Sequence, residues 1–189
     1  MKDLELIELD FSVVIPAYNE ESYLPATIDS LKKAMTAIPE LRGELIVVDN
    51  HSTDLTAESA RQLGARVVFE EARGIAKARN AGARVAYGKY LFFVDADTLV
   101  NQESLLQSLE YLLSGQVGAG GSVLEFDQTQ GRFVFGVLLP RMWNFISRVF
   151  NLAAGSFVFT RRDLFWECGG FPHNLYAGEE IFFSRAVKR

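Results

Sequence analysis

Tyr90-Leu91-Phe92-Phe93-Val94-Asp95-Ala96-Asp97-Thr98 is an apolar, aromatic run that ends abruptly in two carboxylates. The apolar part is short and rich in β-formers, so it predicts a buried strand rather than a helix. Side chains alternate along a strand, which sends Asp95 and Asp97 off its end in one direction and Ala96 in the other. Two converging carboxylates repel each other and are costly to desolvate unless a cation lies between them. Oxygen ligands with room left for water and phosphate suit Mg²⁺ or Mn²⁺. Taken alone, the same residues also fit a solvated turn.

The stretches before this strand supply its neighbours. Phe11-Ser12-Val13-Val14-Ile15 predicts a buried strand closed by Pro16, and Leu24, Ile28, Leu31, Met35 and Ile38 then share one helical face. Leu45–Val48 predicts a second strand. Ser52-Thr53-Asp54 offers N-cap residues for a helix with Ala57, Ala60 and Leu63 inward. Val67–Phe69 is a third strand, and Gly74 precedes a helix with Ile75, Ala78, Gly82 and Val85 on one side. Strands separated by single helices pair in parallel through right-handed crossovers, giving a doubly wound α/β sheet. Ligands bind such sheets beyond the carboxyl ends of the strands. The segments there, Pro16 to Glu20, Asp49 to Asp54 and Asp95 to Thr98, are polar and converge on one rim.

Beyond Asn101, a helix carrying Leu105, Leu106, Leu109, Leu112 and Leu113 leads to Gly115. Gly118 to Gly121 marks a strand boundary, followed by a strand around Ser122 to Phe126. Arg132 to Leu152 is markedly apolar, with Pro140 able to open a helix. That segment suits core packing, a homodimer contact, or weak peripheral contact with a membrane. No repeat or linker interrupts the chain, so residues 1–189 are expected to form one domain.

Composition narrows the function. With 189 residues, 49% hydrophobic and 15 Phe, the chain can bury a substantial core. Nineteen basic against 24 acidic residues give a net charge of −5, which disfavours nucleic acid as a partner. The single Cys168 excludes an internal disulfide and suits a small buried apolar position in a reducing compartment. Met1 to Glu5 alternates charge without an apolar signal core, so a cytoplasmic location is expected, with contact at the inner face of the membrane as an extension.

The first strand–helix junction lacks the glycines that a dinucleotide-binding turn needs. Pro16-Ala17-Tyr18-Asn19-Glu20 stands there instead. Tyr18 can lie against a base and Asp49 can accept a hydrogen bond from a base N–H, although ordinary helix capping explains the same residues. Arg73 and Lys77 form an i, i+4 basic pair suited to a diphosphate or to a solvated helix face. His51 suits the surface. Glu179-Glu180 opens a helix-like run, where carboxylates either complement the helix dipole or do chemistry. His173, after Gly169-Gly170-Phe171-Pro172, is a further candidate metal ligand.

In order along the chain, Val14-Ile15-Pro16-Ala17-Tyr18-Asn19-Glu20, Val47-Val48-Asp49-Asn50, Ser52-Thr53-Asp54, Gly74 with Ala78-Arg79-Asn80, Asp95-Ala96-Asp97, Gly169-Gly170-Phe171 and Gly178-Glu179-Glu180 resemble the family 2 glycosyltransferases. The resemblance covers nearly the whole chain and implies a nucleotide-binding half over about 1–100 and an acceptor-side half over about 101–189. It implies the GT-A fold, a Rossmann-like nucleotide-diphospho-sugar transferase architecture with a mostly parallel central sheet flanked by helices. It also implies transfer of a sugar, usually from a UDP-linked donor, to an acceptor hydroxyl with inversion, assisted by Mn²⁺ or Mg²⁺. The implied donor site takes in Pro16, Ala17, Tyr18, Glu20, Asp49, Arg79, Asp95, Ala96 and Asp97. Within it Ala17, Tyr18 and Asp49 fall at base-contact positions, Asp95 at a ribose contact and Asp97 at the metal ligand, with Asp95 and His173 as further ligand candidates. The family has Glu-Asp where this chain has Glu179-Glu180, so Glu180 takes the general-base position with a longer side chain, and Glu179 is the alternative. The acceptor is a glycan, a lipid-linked carrier or a small molecule.

Two other readings are consistent with parts of the pattern. The chain stops nine residues past Glu180, whereas family members usually continue, so a non-catalytic nucleotide-sugar-binding domain is one alternative. A haloacid-dehalogenase-type phosphatase is the other, although its D-x-D strand opens the domain, and here three strands come first.

Overall fold

Val13, Ile15, Phe92 and Val94 point to one side of their strands, and Val14, Ile46, Val48, Leu91 and Phe93 to the other, so the central strands are apolar on both faces. Such strands must be covered by helices on both sides, and they are. The computed structural model describes residues 9–121 and 156–172, together with 183, 186 and 187. The elements in order are β1 (Phe11–Ala17), α1 (Leu24–Thr36), β2 (Gly43–Asp49), α2 (Thr56–Gln62), β3 (Arg66–Phe69), α3 (Ile75–Val85), β4 (Tyr90–Val94), α4 (Gln102–Leu113), β5 (Ala119–Gly121), β6 (Phe157–Arg161) and α5 (Arg162–Glu167).

The sheet order is β3-β2-β1-β4-β6-β5. Strands β1 to β4 are parallel, and β6 runs antiparallel to both β4 and β5. The predicted parallel α/β sheet with flanking helices is therefore the observed one. One face is covered by Leu24, Ile28 and Leu31 of α1 and by Leu105, Leu109 and Leu112 of α4. Small residues of α3 (Ala76, Ala78, Ala81, Ala83) cover the other, joined by Phe165, Phe171 and Phe183. At Gly82 of α3 a Cβ would come within 2.3 Å of Val14 Cγ1, so glycine is what lets this helix approach the sheet closely.

Several local expectations need correction. β1 is not closed by Pro16 but runs through it to Ala17, paired with β2 throughout. Its pairing with β4 ends at Val14, so Pro16 lies where only one neighbouring strand remains and a missing N–H is tolerated. None of Ser52, Thr53 and Asp54 is the N-cap of α2. Leu55 holds that place, and the Asp54 carboxylate serves the helix from one residue further out by accepting from the Thr56 N–H and hydroxyl. Ile75, grouped by sequence on one side of α3 with Ala78, Gly82 and Val85, is exposed, as is Leu113 at the end of α4. Ala119 to Gly121 are strand residues rather than a boundary. Strand β6, absent from the expectations, inserts between β4 and β5. The anticipated strand at 122–126 and the apolar segment 132–152 lie outside the described residues. Among the described residues no helix is long and apolar enough to cross a membrane.

Candidate functional site

The carboxyl ends of β1, β2 and β4 meet at one rim, and the loops leaving them are tied to each other. The Asn50 N–H donates to the Ala17 carbonyl at 2.8 Å, which holds the two strand ends together past the ladder. Asn19, in the left-handed region at φ 55°, accepts from the Thr53 N–H at 2.8 Å through Oδ1, while its own N–H donates to Ser52 Oγ at 3.0 Å. The Glu20 N–H donates to Thr56 Oγ1 at 2.8 Å, and the Leu55 N–H to Glu21 Oε2 at 2.9 Å. Asp49 is buried and its Oδ1 receives the Ser52 N–H at 3.0 Å, fixing the carboxylate. Asn50 then reaches the loop before α3. Its Nδ2 donates to the carbonyls of Glu70 and Ala72, and its Oδ1 accepts the Gly74 N–H at 2.8 Å. Gly74, at φ +136°, lets the chain turn into α3.

Beyond β4, Asp95 and Ala96 leave on opposite faces, as alternation requires. Ala96 is buried on the α1 side, and its carbonyl accepts the Thr27 hydroxyl at 2.7 Å. Asp95 faces α3, where Arg79 Nη2 meets its Oδ1 at 2.6 Å. The Thr98 N–H closes a turn onto the Asp95 carbonyl at 3.1 Å, leaving Asp97 exposed. Ser30 of α1 accepts the Val100 N–H at 3.1 Å, so both ends of this loop are anchored to one helix.

The charge at this rim is acidic and concentrated. Partial burial pushes the Glu20 carboxyl above its ordinary value, and the negative charges of Asp97, Asp54 and Asp95 add to that rise. Burial acts to raise Asp54 as well, but hydrogen bonds from the Thr56 hydroxyl, the Thr56 N–H and the Glu21 N–H outweigh it and hold Asp54 below the usual carboxylate range. Glu20 is thus close enough to Asp95 and Asp97 to feel their charge, which is a setting a cation relieves. The donor set is all oxygen and suits Mg²⁺ or Mn²⁺. Among the described residues no three His, Cys, Asp or Glu side chains are grouped closely enough to hold an ion unaided.

Of the predicted positions, Pro16, Ala17 and Asp49 form the buried floor, and Tyr18 stands above them, 45% exposed, with the Arg73 guanidinium 4.9 Å from its ring centroid. Arg73 thus lies over the Tyr18 ring. Arg79 is 1% exposed and lies beneath the site, braced against Asp95 and 5.5 Å from the Phe171 ring centroid. His51 is at the surface, as expected, with its ring 5.7 Å from Phe69. Cys168 is half-buried, and burial pushes its thiol up. Glu179, Glu180 and His173 lie outside the described residues.

Asn80 has no role in the sequence reading beyond its place in the Ala78-Arg79-Asn80 motif, yet it links two distant parts of this region. Its Nδ2 donates to the Phe171 carbonyl at 2.8 Å and its Oδ1 accepts the Phe171 N–H at 3.0 Å, an amide clamp across 91 residues. A Cβ on Gly170, which sits at φ +71°, would come within 2.9 Å of Asn80 Oδ1. Arg79 and Asn80, neighbours on one turn of α3, therefore fasten the β4 loop and the Gly169–Phe171 turn to the same helix.

With this geometry in place, the chain can be set beside known proteins. The family model for glycosyl transferase family 2 matches residues 12–169, and the chain belongs to that family. The match removes the phosphatase alternative. Glycosyltransferase AglE of Haloferax volcanii is 28% identical over 92% of this chain and 60% of its own length. The structure of S. aureus TarS 1–349 in complex with UDP-GlcNAc superposes with a TM-score of 0.72 at 26% identity, covering 95% of this chain and 53% of that one. The mannosyltransferase PcManGT from Pyrobaculum calidifontis, solved with GDP-Man and Mn²⁺, gives 0.72 at 24% identity over 92% of this chain and half of its own, and shares the fold. The chain thus spans 60% of AglE and about half of these solved structures.

Proposed function

We propose that this chain forms the donor-binding and catalytic part of an inverting glycosyltransferase that moves a sugar from a nucleotide-diphosphate sugar, UDP-linked in the first instance, to an acceptor hydroxyl. The observation that carries the proposal is the acidic rim of Glu20, Asp95 and Asp97, braced from below by Arg79 and placed beside an open aromatic ring at Tyr18. The complexes of similar proteins with UDP-GlcNAc and with GDP-Man and Mn²⁺ support the donor class.

In this reading Tyr18, Ala17 and Asp49 receive the base, and Asp95 the ribose. Asp97 is the carboxylate that holds Mn²⁺ or Mg²⁺, since Asp95 is already engaged by Arg79. The cation, when bound, offsets charge on the departing diphosphate, a contribution of several kcal/mol in a dry site. Glu180 takes the proton from the acceptor hydroxyl as its oxygen attacks the anomeric carbon, and the bond to the diphosphate breaks with its electron pair. Attack from the side opposite the leaving group inverts the anomeric centre.

The test is turnover by Glu180→Gln. The variant should retain donor affinity and lose kcat by about 10²- to 10⁴-fold, because a base acts only in the transition state. Unchanged kcat would give the role to Glu179 or to another group. Nucleotide-sugar binding with no transfer or hydrolysis by the wild-type chain would instead favour a binding domain without catalysis.

A further inference from the structure

Ser156 enters β6 directly opposite the exit from β4. The Asp95 N–H donates to its carbonyl at 3.1 Å, one step beyond the last ladder pair, Val94 with Phe157. Val94 and Phe157 belong to the core beneath α1 and α4. Alternation therefore directs Asp95 and Ser156 to the other face, where Asp95 meets Arg79. The Ser156 hydroxyl oxygen is buried and makes no hydrogen bond. A hydroxyl withdrawn from water without a partner costs stability, and such groups are retained where something else satisfies them. Ser156 itself is only part-buried and stands at the entry to β6, beside the carboxyl end of β4.

Its place along the rim indicates what that partner is. The strand order puts Asp49 on β2, Tyr18 after β1, Asp95 after β4 and Ser156 before β6. Adjacent strands are about 4.8 Å apart, so Ser156 lies roughly 10 Å from the end of β1, on the side away from Asp49. A nucleotide sugar whose base rests at Tyr18 and Asp49, and whose diphosphate passes Asp97, carries its sugar onward toward β6. We propose that the Ser156 hydroxyl hydrogen-bonds a hydroxyl of the donor sugar and so helps to select it. This rests on the donor site described under Proposed function. It adds a sugar contact on an element, β6, to which no role has been given.

The test compares wild type with Ser156→Ala, both as full chains. Unliganded melting temperature is measured first, followed by calorimetric titration in Mn²⁺ with UDP, UDP-glucose, UDP-N-acetylglucosamine, GDP and GDP-mannose. Removing an unsatisfied buried hydroxyl should leave the unliganded melting temperature unchanged or raised. Affinity for the sugar nucleotide that wild type binds best should fall about five- to tenfold, the effect of one hydrogen bond, while affinity for the matching bare nucleotide changes less than about twofold. Equal effects on both ligands, or no effect on either, would overturn the assignment, as would a lower unliganded melting temperature, which would mean the hydroxyl is already satisfied structurally. Wild type that binds no nucleotide under any of these conditions would overturn the donor site itself. Retained UDP or GDP binding without a sugar-specific loss would overturn only the role of Ser156.

Discussion

The Arg79–Asp95 ion pair is asymmetric, and the asymmetry predicts which partner is the costlier to lose. Arg79 is 1% exposed and Asp95 28% exposed, with 2.6 Å between Nη2 and Oδ1. Breaking a fully buried pair from one side costs about 3–5 kcal/mol, because a charge is left without compensation in a dry site. Asp95→Asn removes one compensating charge, 2.6 Å away, from a cation that water scarcely reaches. The carboxamide oxygen can still accept a hydrogen bond, which brings the expected loss to about 2–3 kcal/mol. Arg79→Met keeps most of the apolar stem and leaves behind a carboxylate that water partly reaches, so about 1–2 kcal/mol is expected. For a chain of this length each kcal/mol corresponds to about 2–4 °C in melting temperature. Urea unfolding without nucleotide separates this effect from any role of Asp95 in binding. The double variant should lose less than the sum of the single losses, since each removes the same interaction. A larger loss for Arg79→Met than for Asp95→Asn, or strict additivity, would refute the description of the pair as a buried cation held by a half-open carboxylate.

Glu20→Gln should raise unliganded stability at neutral pH. Burial and the neighbouring carboxylates raise the folded-state pKa above the ordinary 4.5, so ionised Glu20 destabilises the fold above that raised value and ceases to do so below 4.5. The advantage of the variant in thermal melts should shrink as pH falls toward 4.5, and an advantage that grows on acidification would contradict the charge cluster. Asn80→Asp sets an oxygen against the Phe171 carbonyl where the amide now donates, and should cost about 2–4 kcal/mol in urea unfolding. A loss under about 1 kcal/mol would show that the clamp contributes little.

The parallel part of the sheet was legible because its residues carry local signals. Leu45–Val48 and Tyr90–Val94 are continuous apolar runs between polar loops, Phe11–Ile15 is interrupted only by Ser12, and runs of that kind are buried parallel strands wherever helices alternate with them. Polar residues after three strand ends pointed to the rim for the same reason. What the sequence hid depends on contacts between distant segments. Phe157–Arg161 is five residues long, ends on one arginine and is followed by another, and only its position between β4 and β5 makes it a sheet strand. Thr27, Asn50 and Asn80 look like ordinary helix or loop polar residues, and their hydrogen-bond partners are 69, 20 to 24 and 91 residues away. Arg79 was expected at the nucleotide, yet it is buried beneath Asp95, a placement set by the packing of α3 against the sheet that no periodicity reveals.

The central claim is a donor site whose binding depends on a divalent cation held at Asp97. The most direct measurement is calorimetric titration of UDP into wild type and Asp97→Asn, each with and without Mn²⁺. Mn²⁺ should strengthen UDP binding to wild type by tenfold or more, on the order of 1.4 kcal/mol or greater. Asp97→Asn should lose that gain while its melting temperature stays within about 2 °C of wild type, because Asp97 is exposed and supports no packing. An equal Mn²⁺-dependent gain in Asp97→Asn would contradict the account.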